Sequence, residues 1–274
     1  MKKLIAAGIV AGVSTLASAQ QAGDNVATLG WLHVMPQDST NGLTTNLANM
    51  PINKSLGLPG SFTSPGTSLT SNNADTVGLT LTHFFTDHIA VTSVLGIPPE
   101  FALTGHGVIK PPGAAGALGS VDMDKSSNQP AVKNARQWSP AVILQYYFNA
   151  PTAQFRPFVG IGLAYSWFSN IQLNGNFERD VNENLGSVLA AGAGKPGPTS
   201  VEGKASSSFT PIYNIGASYA FDKHWGVLAT LSYMPLKTYS SLVIKAADGS
   251  TLATTRTRLK ADPLITFVGI SYRF

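Results

Sequence analysis

The chain has 274 residues, of which 12% are charged and 43% are hydrophobic, whereas about a quarter of the residues of an average soluble domain are charged. The formal net charge is +4. These values exclude a highly charged disordered chain, a coiled coil and the dense basic face of a nucleic-acid-binding protein. Cysteine is absent and the five histidines show no metal-binding spacing. The sequence therefore predicts no disulfide, no metal site and no cofactor.

The N terminus predicts a secretory signal peptide. Two lysines at positions 2 and 3 precede a mostly apolar run, Leu4–Leu16, and an Ala-Ser-Ala sequence at positions 17–19 is typical of a cleavage site. A membrane anchor is the alternative, but a spanning helix needs about 20 apolar residues. We therefore expect residues 1–19 to be removed on export through the periplasm and residues 20–274 to form the mature domain.

Eight later segments alternate large apolar side chains with small or weakly polar ones. In the clearest of them, Val159 and Ile161 lie on one face of the chain, and Gly160 and Gly162 lie on the other. A period of two residues is typical of β-strands. The predicted strands are Val26–Met35, Val77–Phe85, Ile89–Ile97, Pro140–Phe148, Phe158–Trp167, Ile212–Phe221, Trp225–Met234 and Leu264–Tyr272.

Short and long connections alternate between these strands. Three connections are short turns, and the four others are long or polar, with most of the Gly, Pro, Ser and Asn. This order indicates antiparallel strands with both chain termini on the short-turn side. Several loops longer than about 15 residues are rare in compact soluble domains, but short periplasmic turns and long extracellular loops are typical of transmembrane β-barrels.

The eight predicted strands contain no Asp, Glu, Lys or Arg. A soluble sandwich carries charge on its water-facing side, whereas a lysine or arginine facing the middle of a membrane costs about 2–4 kcal/mol. The small face also differs from the polar exterior of a soluble eight-stranded barrel. We predict an all-β fold: an eight-stranded antiparallel transmembrane β-barrel in a Gram-negative outer membrane, with long extracellular loops and membrane lipid around it.

The small face is expected to point into the lumen, together with several large apolar side chains. No charge is expected there, whereas a charge-selective pore uses charged rings. Either a narrow apolar conduit or a filled barrel that conducts nothing fits an interior of this width. The candidate lumen-lining residues are Ile143, Gly160, Gly162, Ala164, Gly216, Ser218, Leu228, Thr230, Met234, Ile265 and Phe267.

Six prolines lie at or near the outer strand ends: Pro98, Pro99, Pro140, Pro211, Pro235 and Pro263. Proline has no N–H to donate to a neighbouring strand. The prolines therefore predict a weak seam in the wall near the outer leaflet, through which an apolar solute would leave sideways. The alternative is that they only end strands where loops begin.

Three basic residues, Arg256, Arg258 and Lys260, alternate just before the last strand. They would share one face of a strand extension beyond the membrane. Either they pair with lipopolysaccharide phosphates, which suit the forked donors of arginine, or they are simply solvated.

Six short motifs resemble the OmpW family of small outer-membrane barrels and, in places, its AlkL-type hydrocarbon importers. They are Thr76–Thr82 (TVGLTLT), Ile89–Val91 with Gly96–Pro98, Arg156–Gly162 (RPFVGIG), Tyr233–Thr238 (YMPLKT), Asp262-Pro263 and the ending Gly269–Phe274 (GISYRF). The resemblance implies passive passage of small hydrophobic molecules across the outer membrane. It also favours the interpretation that the alternating ending, Ile270, Tyr272 and Phe274, is read by the barrel-assembly machinery, the alternative being an ordinary strand end.

An enzyme is the rival class, but no cluster of acid, base and nucleophile is visible in the sequence. We expect passive uptake of small hydrophobic molecules through a narrow apolar lumen, with lateral exit through the wall. The alternative function is a non-conducting structural or receptor barrel, such as an adhesin or a phage or bacteriocin target.

Overall fold

A computed structural model describes residues 20–274, apart from 51–52, 54–56, 58, 114–115 and 117–118. The signal peptide predicted at residues 1–19 lies outside the described residues. The strands are numbered β1–β19 in chain order. Eight of them form a barrel: β1 (Asn25–Met35), β6 (Ala74–Phe84), β7 (Ile89–Gly96), β12 (Ala141–Tyr147), β13 (Phe155–Leu173), β15 (Ser208–Ala220), β16 (Trp225–Tyr233) and β19 (Leu264–Arg273).

The barrel is closed and antiparallel throughout. Each of the eight strands pairs with the barrel strand that follows it, and β19 pairs with β1 along their whole length, from Val26–Arg273 to Met35–Leu264. This architecture confirms the predicted eight-stranded transmembrane-type barrel. Within the described ranges, no helix has the length and apolar character needed to cross a membrane.

Alternation gives each strand two unlike faces. On the outside, large apolar side chains such as Leu29, Ile161 and Ile270 are more than half exposed. On the inside, small and polar side chains such as Thr28 and Ser271 are buried. Only a hydrocarbon environment stabilises an outer face of this kind, since so large an apolar surface is not left in water.

Several barrel strands are longer than the sequence analysis predicted. Strand β6 includes Asp75, β13 includes Arg156 and β19 includes Arg273, all near strand ends. The uncharged spans are therefore the membrane-depth parts of longer strands. The longest strand, β13, runs on to Leu173, well beyond the barrel.

The long connections on the loop side are folded into two further sheets. One contains β2 (Ser39–Thr40), β3 (Leu43–Leu47), β4 (Ser61–Ser64), β14 (Ser200–Ala205), β17 (Lys237–Lys245) and β18 (Thr251–Lys260). The other joins β5 (Ser68–Ser71), β8 (Glu100–His106) and β11 (Val132–Trp138) to the end of β13. A hairpin is formed by β9 (Val108–Ile109) and β10 (Val121–Asp122).

Short helical segments cover this loop-side region. They are a 3-10 turn at Ser126–Asn128, α-helices at Gly175–Val181 and Ser187–Gly192, and a π-helical turn at Asn182–Gly186 between the two. Phe177 and Val181 of the first α-helix pack with Met123, Ile244 and Leu252 in a buried apolar core. The loop side therefore has a core of its own, which continues the barrel outward.

Candidate functional site

The barrel encloses a cavity of about 380 Å³ in its loop-side half. This is within the range of pockets that hold small organic molecules, about 300–1,000 Å³. Apolar side chains from several strands form most of its wall, among them Val94, Ile143, Ile212, Met234 and Ile265. Within the described chain the lining carries no Asp, Glu, Lys, Arg or His. The cavity therefore suits an uncharged occupant.

A chain of hydrogen bonds between neutral side chains crosses the interior beside this cavity. We call Thr82, Thr92, Gln145, Asn214 and Ser232 the polar network. Thr92 donates to Oε1 of Gln145 at 2.5 Å, Nε2 of Gln145 donates to Oδ1 of Asn214 at 2.9 Å, and Nδ2 of Asn214 donates to Oγ of Ser232 at 2.9 Å. The hydroxyls of Thr82 and Thr92 are 2.8 Å apart. All of the network except Thr82 lines the cavity.

Gly160 makes the central step of the polar network possible. It lies on β13, in register with Gln145 on one side and Asn214 on the other. A Cβ atom on Gly160 would stand 3.0 Å from Cγ of Gln145 and 2.9 Å from Cγ2 of Ile143. The missing side chain therefore lets the amide of Gln145 reach across β13 to Asn214.

The short-turn end of the lumen is filled by a plug of buried aromatic rings around Arg156. The guanidinium carbon of Arg156 lies 5.7 Å from the ring centre of Phe84 and 5.3 Å from that of Tyr147. Its nitrogens donate to the backbone carbonyls of Gln20, Asp87 and Phe148. The side chain is fully buried. The expectation that no charge faces the lumen was therefore wrong at the short-turn end. The predicted strand began at Phe158 and left Arg156 outside it, whereas the strand in the structure begins at Phe155.

The cavity reaches the outer surface between β7 and β12. Regular pairing of these strands ends at Val94–Ala141, and pairing resumes only between β8 and β11, at Glu100–Arg136. Between these points, one bond joins the amide of Gln137 to the carbonyl of Pro99 at 3.0 Å. We call this gap the side opening.

Three prolines and one glycine near the end of β7 and the start of β12 explain why regular strand pairing stops at the side opening. Pro98, Pro99 and Pro140 lie at the gap and line the cavity, and none has an N–H to offer the neighbouring strand. Gly96 adopts a φ of +144°, and a Cβ there would be 2.5 Å from the carbonyl oxygen of Val77. Only glycine fits this conformation.

Outward-facing residues frame the side opening. Leu95 and Ile97 are exposed on the barrel's outer surface, yet they also line the cavity. Trp138 and Trp167, which pair across β11 and β13, stack with ring centres 5.7 Å apart and line it too. The cavity and the outer surface are therefore continuous at this point.

The other three prolines lie away from the side opening. Pro211 pairs with Leu163 inside an uninterrupted ladder between β13 and β15. Pro235 lies between β16 and β17, and Pro263 lies between β18 and β19. There the amide of Met234 donates to the carbonyl of Pro263 at 3.2 Å. The structure thus gathers three of the six predicted seam prolines at one gap.

The predicted lumen residues divide into two groups. Those on the cavity wall are Ile143, Leu228, Thr230, Met234, Ile265 and Phe267. The smaller residues, Gly160, Gly162, Ala164, Gly216 and Ser218, are on the inner face of their strands but outside the cavity lining. A Cβ on Gly216, for example, would be 2.6 Å from the Phe158 ring. The glycines leave room for neighbouring side chains rather than for a continuous tunnel.

A second apolar chamber lies on the loop side of the cavity. Its volume is about 90 Å³, and its wall includes Leu69, Phe101 and Leu259. Val34 and Gln137 line both spaces, so they mark the constriction between the two. The two apolar spaces therefore adjoin at these side chains.

Arg256, Arg258 and Lys260 lie along the outer face of β18, as alternation requires. The guanidinium of Arg256 is 5.1 Å from the ring centre of Tyr239. None of the three forms an ion pair with another described residue.

At the opposite end, Ile270, Tyr272 and Phe274 are exposed on the outer face of β19, and the backbone of Phe274 pairs with that of Asn25.

Beside the side opening, an ion pair connects β8 and β11. Arg136 and Asn134 donate to the carboxylate of Glu100, and these bonds hold the pKa of that carboxyl below its usual value, mainly through Arg136.

Among the described residues, no three His, Asp or Glu side chains gather closely enough to hold a metal ion.

A closed barrel with an uncharged, apolar outer face, short turns at one end and long extensions at the other is the architecture of an outer-membrane β-barrel protein. The model of the OmpW family matches residues 21–274, and the chain belongs to that family. It is a protein of the Gram-negative outer membrane, embedded in membrane lipid.

Individual relatives and a solved structure are similar to the chain. The chain is 23% identical over 256 residues to outer membrane protein W of Vibrio cholerae, covering 93% of this chain and 91% of that protein. It is 28% identical over 211 residues to an uncharacterized outer-membrane protein of Sinorhizobium fredii, covering 77% and 70%. The crystal structure of OprG from Pseudomonas aeruginosa aligns with a TM-score of 0.67 at 21% identity, covering 94% and 99%, so the two share a fold.

Proposed function

We propose that the protein carries small, uncharged hydrophobic molecules passively into the outer membrane. The observation that supports this most directly is the apolar cavity of about 380 Å³, whose wall reaches the lipid-facing surface at the side opening. Its lining of uncharged residues favours passengers without charge, since burying an unpaired charge is strongly unfavourable. Among the described lining residues, the hydroxyls have no His, Asp, Glu or Lys beside them to act as a base, so we propose transport rather than catalysis for this site.

The proposed route has three stages. A solute enters the loop-side chamber, passes the constriction at Val34 and Gln137, and occupies the cavity within the barrel. It then leaves sideways between Ile97 and Trp138 into the hydrocarbon of the membrane. The plug around Arg156 favours this exit, because it fills the direct path to the short-turn end.

A matched pair of variants on β12 tests the route. Ile143 points into the cavity and Leu144 points into lipid. Ile143→Trp fills the cavity, so we expect it to slow uptake of ethylbenzene into proteoliposomes at least fivefold. Leu144→Trp adds the same side chain to the outer face and is expected to leave uptake unchanged. Wild-type uptake no faster than in protein-free liposomes would refute the proposal and favour the receptor alternative.

We propose lipopolysaccharide as a partner at the loop-side rim, where Arg256, Arg258 and Lys260 share one face of β18. The support is geometric: Lys260 is only four residues before Leu264, where the barrel strand begins. Replacing all three by Gln should weaken lipopolysaccharide binding by at least tenfold at low salt, measured by surface plasmon resonance. Lys133→Gln, on the exposed face of β11, is the control. Equal affinities for the triple variant and the control would contradict the assignment.

Two further roles follow from the ends of the chain. We propose that the outward-facing Ile270, Tyr272 and Phe274 form the signal for the barrel-assembly machinery, and that residues 1–19 are a signal peptide removed during export. N-terminal sequencing of the membrane-inserted protein should begin at Gln20. Deletion of Phe274 should lower the amount of inserted barrel without changing the amount exported to the periplasm.

A further inference from the structure

We propose that the cavity selects small amphiphiles that carry one neutral hydrogen-bond acceptor, such as a ketone, ester or ether, rather than plain hydrocarbons. This inference rests on the proposed function, whose passenger class it narrows. It starts from Thr80, which lines the cavity and is 5% exposed. Its Oγ1 is buried and has no hydrogen-bond partner among the described residues.

A buried hydroxyl without a partner is unfavourable by about 1–3 kcal/mol. Proteins keep few such groups, and each calls for an explanation. Thr82, two residues along the same face of β6, bonds to Thr92 in the polar network, whereas Thr80 lies one step nearer the loop side and is left without a bond. Oγ1 itself has almost no accessible surface, although the residue lines the cavity. A change of χ1 rotamer brings the hydroxyl to the cavity side, where an occupant that accepts its hydrogen bond removes this cost.

The polar network also leaves donors without an acceptor among the described residues. Each side-chain amide has two N–H groups, and Gln145 and Asn214 each use one within the network. Oγ of Ser232 accepts from Asn214, but its own hydroxyl has no acceptor in the described chain. Two amide N–H groups and two hydroxyls, those of Ser232 and Thr80, therefore remain available.

Because an amide N–H can only donate, these groups call for an acceptor on the passenger. A carbonyl or ether oxygen accepts such hydrogen bonds without charge. A carboxylate is disfavoured because no cation among the described residues lines the cavity, and a buried unpaired charge is strongly unfavourable. The rest of the molecule faces apolar side chains such as Ile143 and Met234. The passenger therefore sits with its polar end at the network and its apolar part towards the side opening.

Ethylbenzene and acetophenone test this selection, because they share eight carbons and differ by a carbonyl. Binding is measured as the amount of each compound retained by nanodiscs containing the protein, minus that in empty nanodiscs, by gas chromatography. We expect the wild type to bind acetophenone at least fivefold more tightly. Thr80→Val should lower this preference about threefold to tenfold, the range of one neutral hydrogen bond.

Two further variants keep the experiment decisive. Thr28→Val is the matched control, because Thr28 pairs with Thr80 across β1 and β6, is equally buried and lies outside the cavity lining. Its preference should equal that of the wild type. If Thr80→Val does not fold, Ser232→Ala is expected to show the same loss of preference.

Equal binding of the two compounds by the wild type overturns the inference. So does a preference that Thr80→Val and Ser232→Ala leave intact. In both cases, continued uptake of ethylbenzene into proteoliposomes would still support the proposed function, whereas absent uptake of both compounds would refute that function separately.

Discussion

Replacing Arg156 tests whether the plug both stabilises the barrel and blocks its short-turn end. Arg156→Ala removes contacts to two aromatic rings, at 5.7 and 5.3 Å, each worth about 0.5–2 kcal/mol when desolvated. It also leaves three backbone carbonyls without their donor, which costs about 1–3 kcal/mol each where water does not reach them. Relief of the arginine's own desolvation offsets part of this.

We therefore expect the free energy of unfolding to fall by about 3–5 kcal/mol, measured by urea titration in lipid vesicles. A small ion conductance should appear in planar bilayers, because the plug loses its central side chain. Arg156→Lys keeps the charge but offers a single nitrogen, and it should give an intermediate loss of stability. Uptake through the side opening should remain.

Arg273 supplies the control at the same end of the barrel. It pairs with Asp24 at 3.1 Å, through side chains that are 15% and 18% exposed, and its Nε donates to the carbonyl of Lys223 at 2.6 Å. Because water still reaches this site, the loss of these contacts costs about 1–2 kcal/mol. Arg273→Ala should therefore change stability far less and open no conductance. If Arg156→Ala were as stable as the wild type and equally non-conducting, the reasoning about the plug would be wrong. Lost stability without conductance would refute only its blocking role.

Two other predictions concern the side opening and its rim. Gly96→Ala forces a Cβ to within 2.5 Å of a backbone carbonyl at a φ of +144°, so unfolding in urea should show a loss of about 1–3 kcal/mol; Gly175→Ala, with no atom within 4 Å, should be neutral. The pKa of Glu100 is lower in the folded protein than in the unfolded chain. Its pair with Arg136 therefore contributes stability at pH values above the unfolded pKa, and this stability is lost as the pH falls through the folded pKa. Circular dichroism of the stacked Trp138 pair should therefore weaken below about pH 4 in the wild type, and Glu100→Gln should abolish that pH dependence; an unchanged acid transition in this variant would contradict the assignment.

The barrel could be predicted from the sequence because lipid and lumen impose different chemistry on alternate residues. All eight spans coincide with observed strands, and most differ only at their ends. Alternation says nothing, however, about which distant segments pair. The loop-side sheets depend on contacts such as the 2.9 Å hydrogen bond between Thr45 and Thr255, which no local pattern reveals.

The candidate site was only partly predictable for the same reason. Proline chemistry pointed to a seam, yet only three of the six prolines meet at the side opening, since position around the barrel depends on register. The polar network joins Gln145 to Asn214 across Gly160, which requires three strands in register. Arg156 was missed because the predicted strand began only at Phe158, whereas the strand begins at Phe155. Thr80 and Ser232 do follow the two-residue period of the small face. The alternation therefore predicted that they face the lumen, but not what they bind there.

The pairing of β1 with β19 has a consequence for how the chain folds. The two strands are nearly the whole length of the protein apart, yet Val26 pairs with Arg273. Contacts between such distant segments form slowly, because the entropy of closing the loop is lost before any contact compensates it. Until the last strand is delivered, both edges of the unfinished sheet expose unpaired N–H and C=O groups, which invite pairing with other chains. The incomplete chain is therefore the state most prone to aggregation.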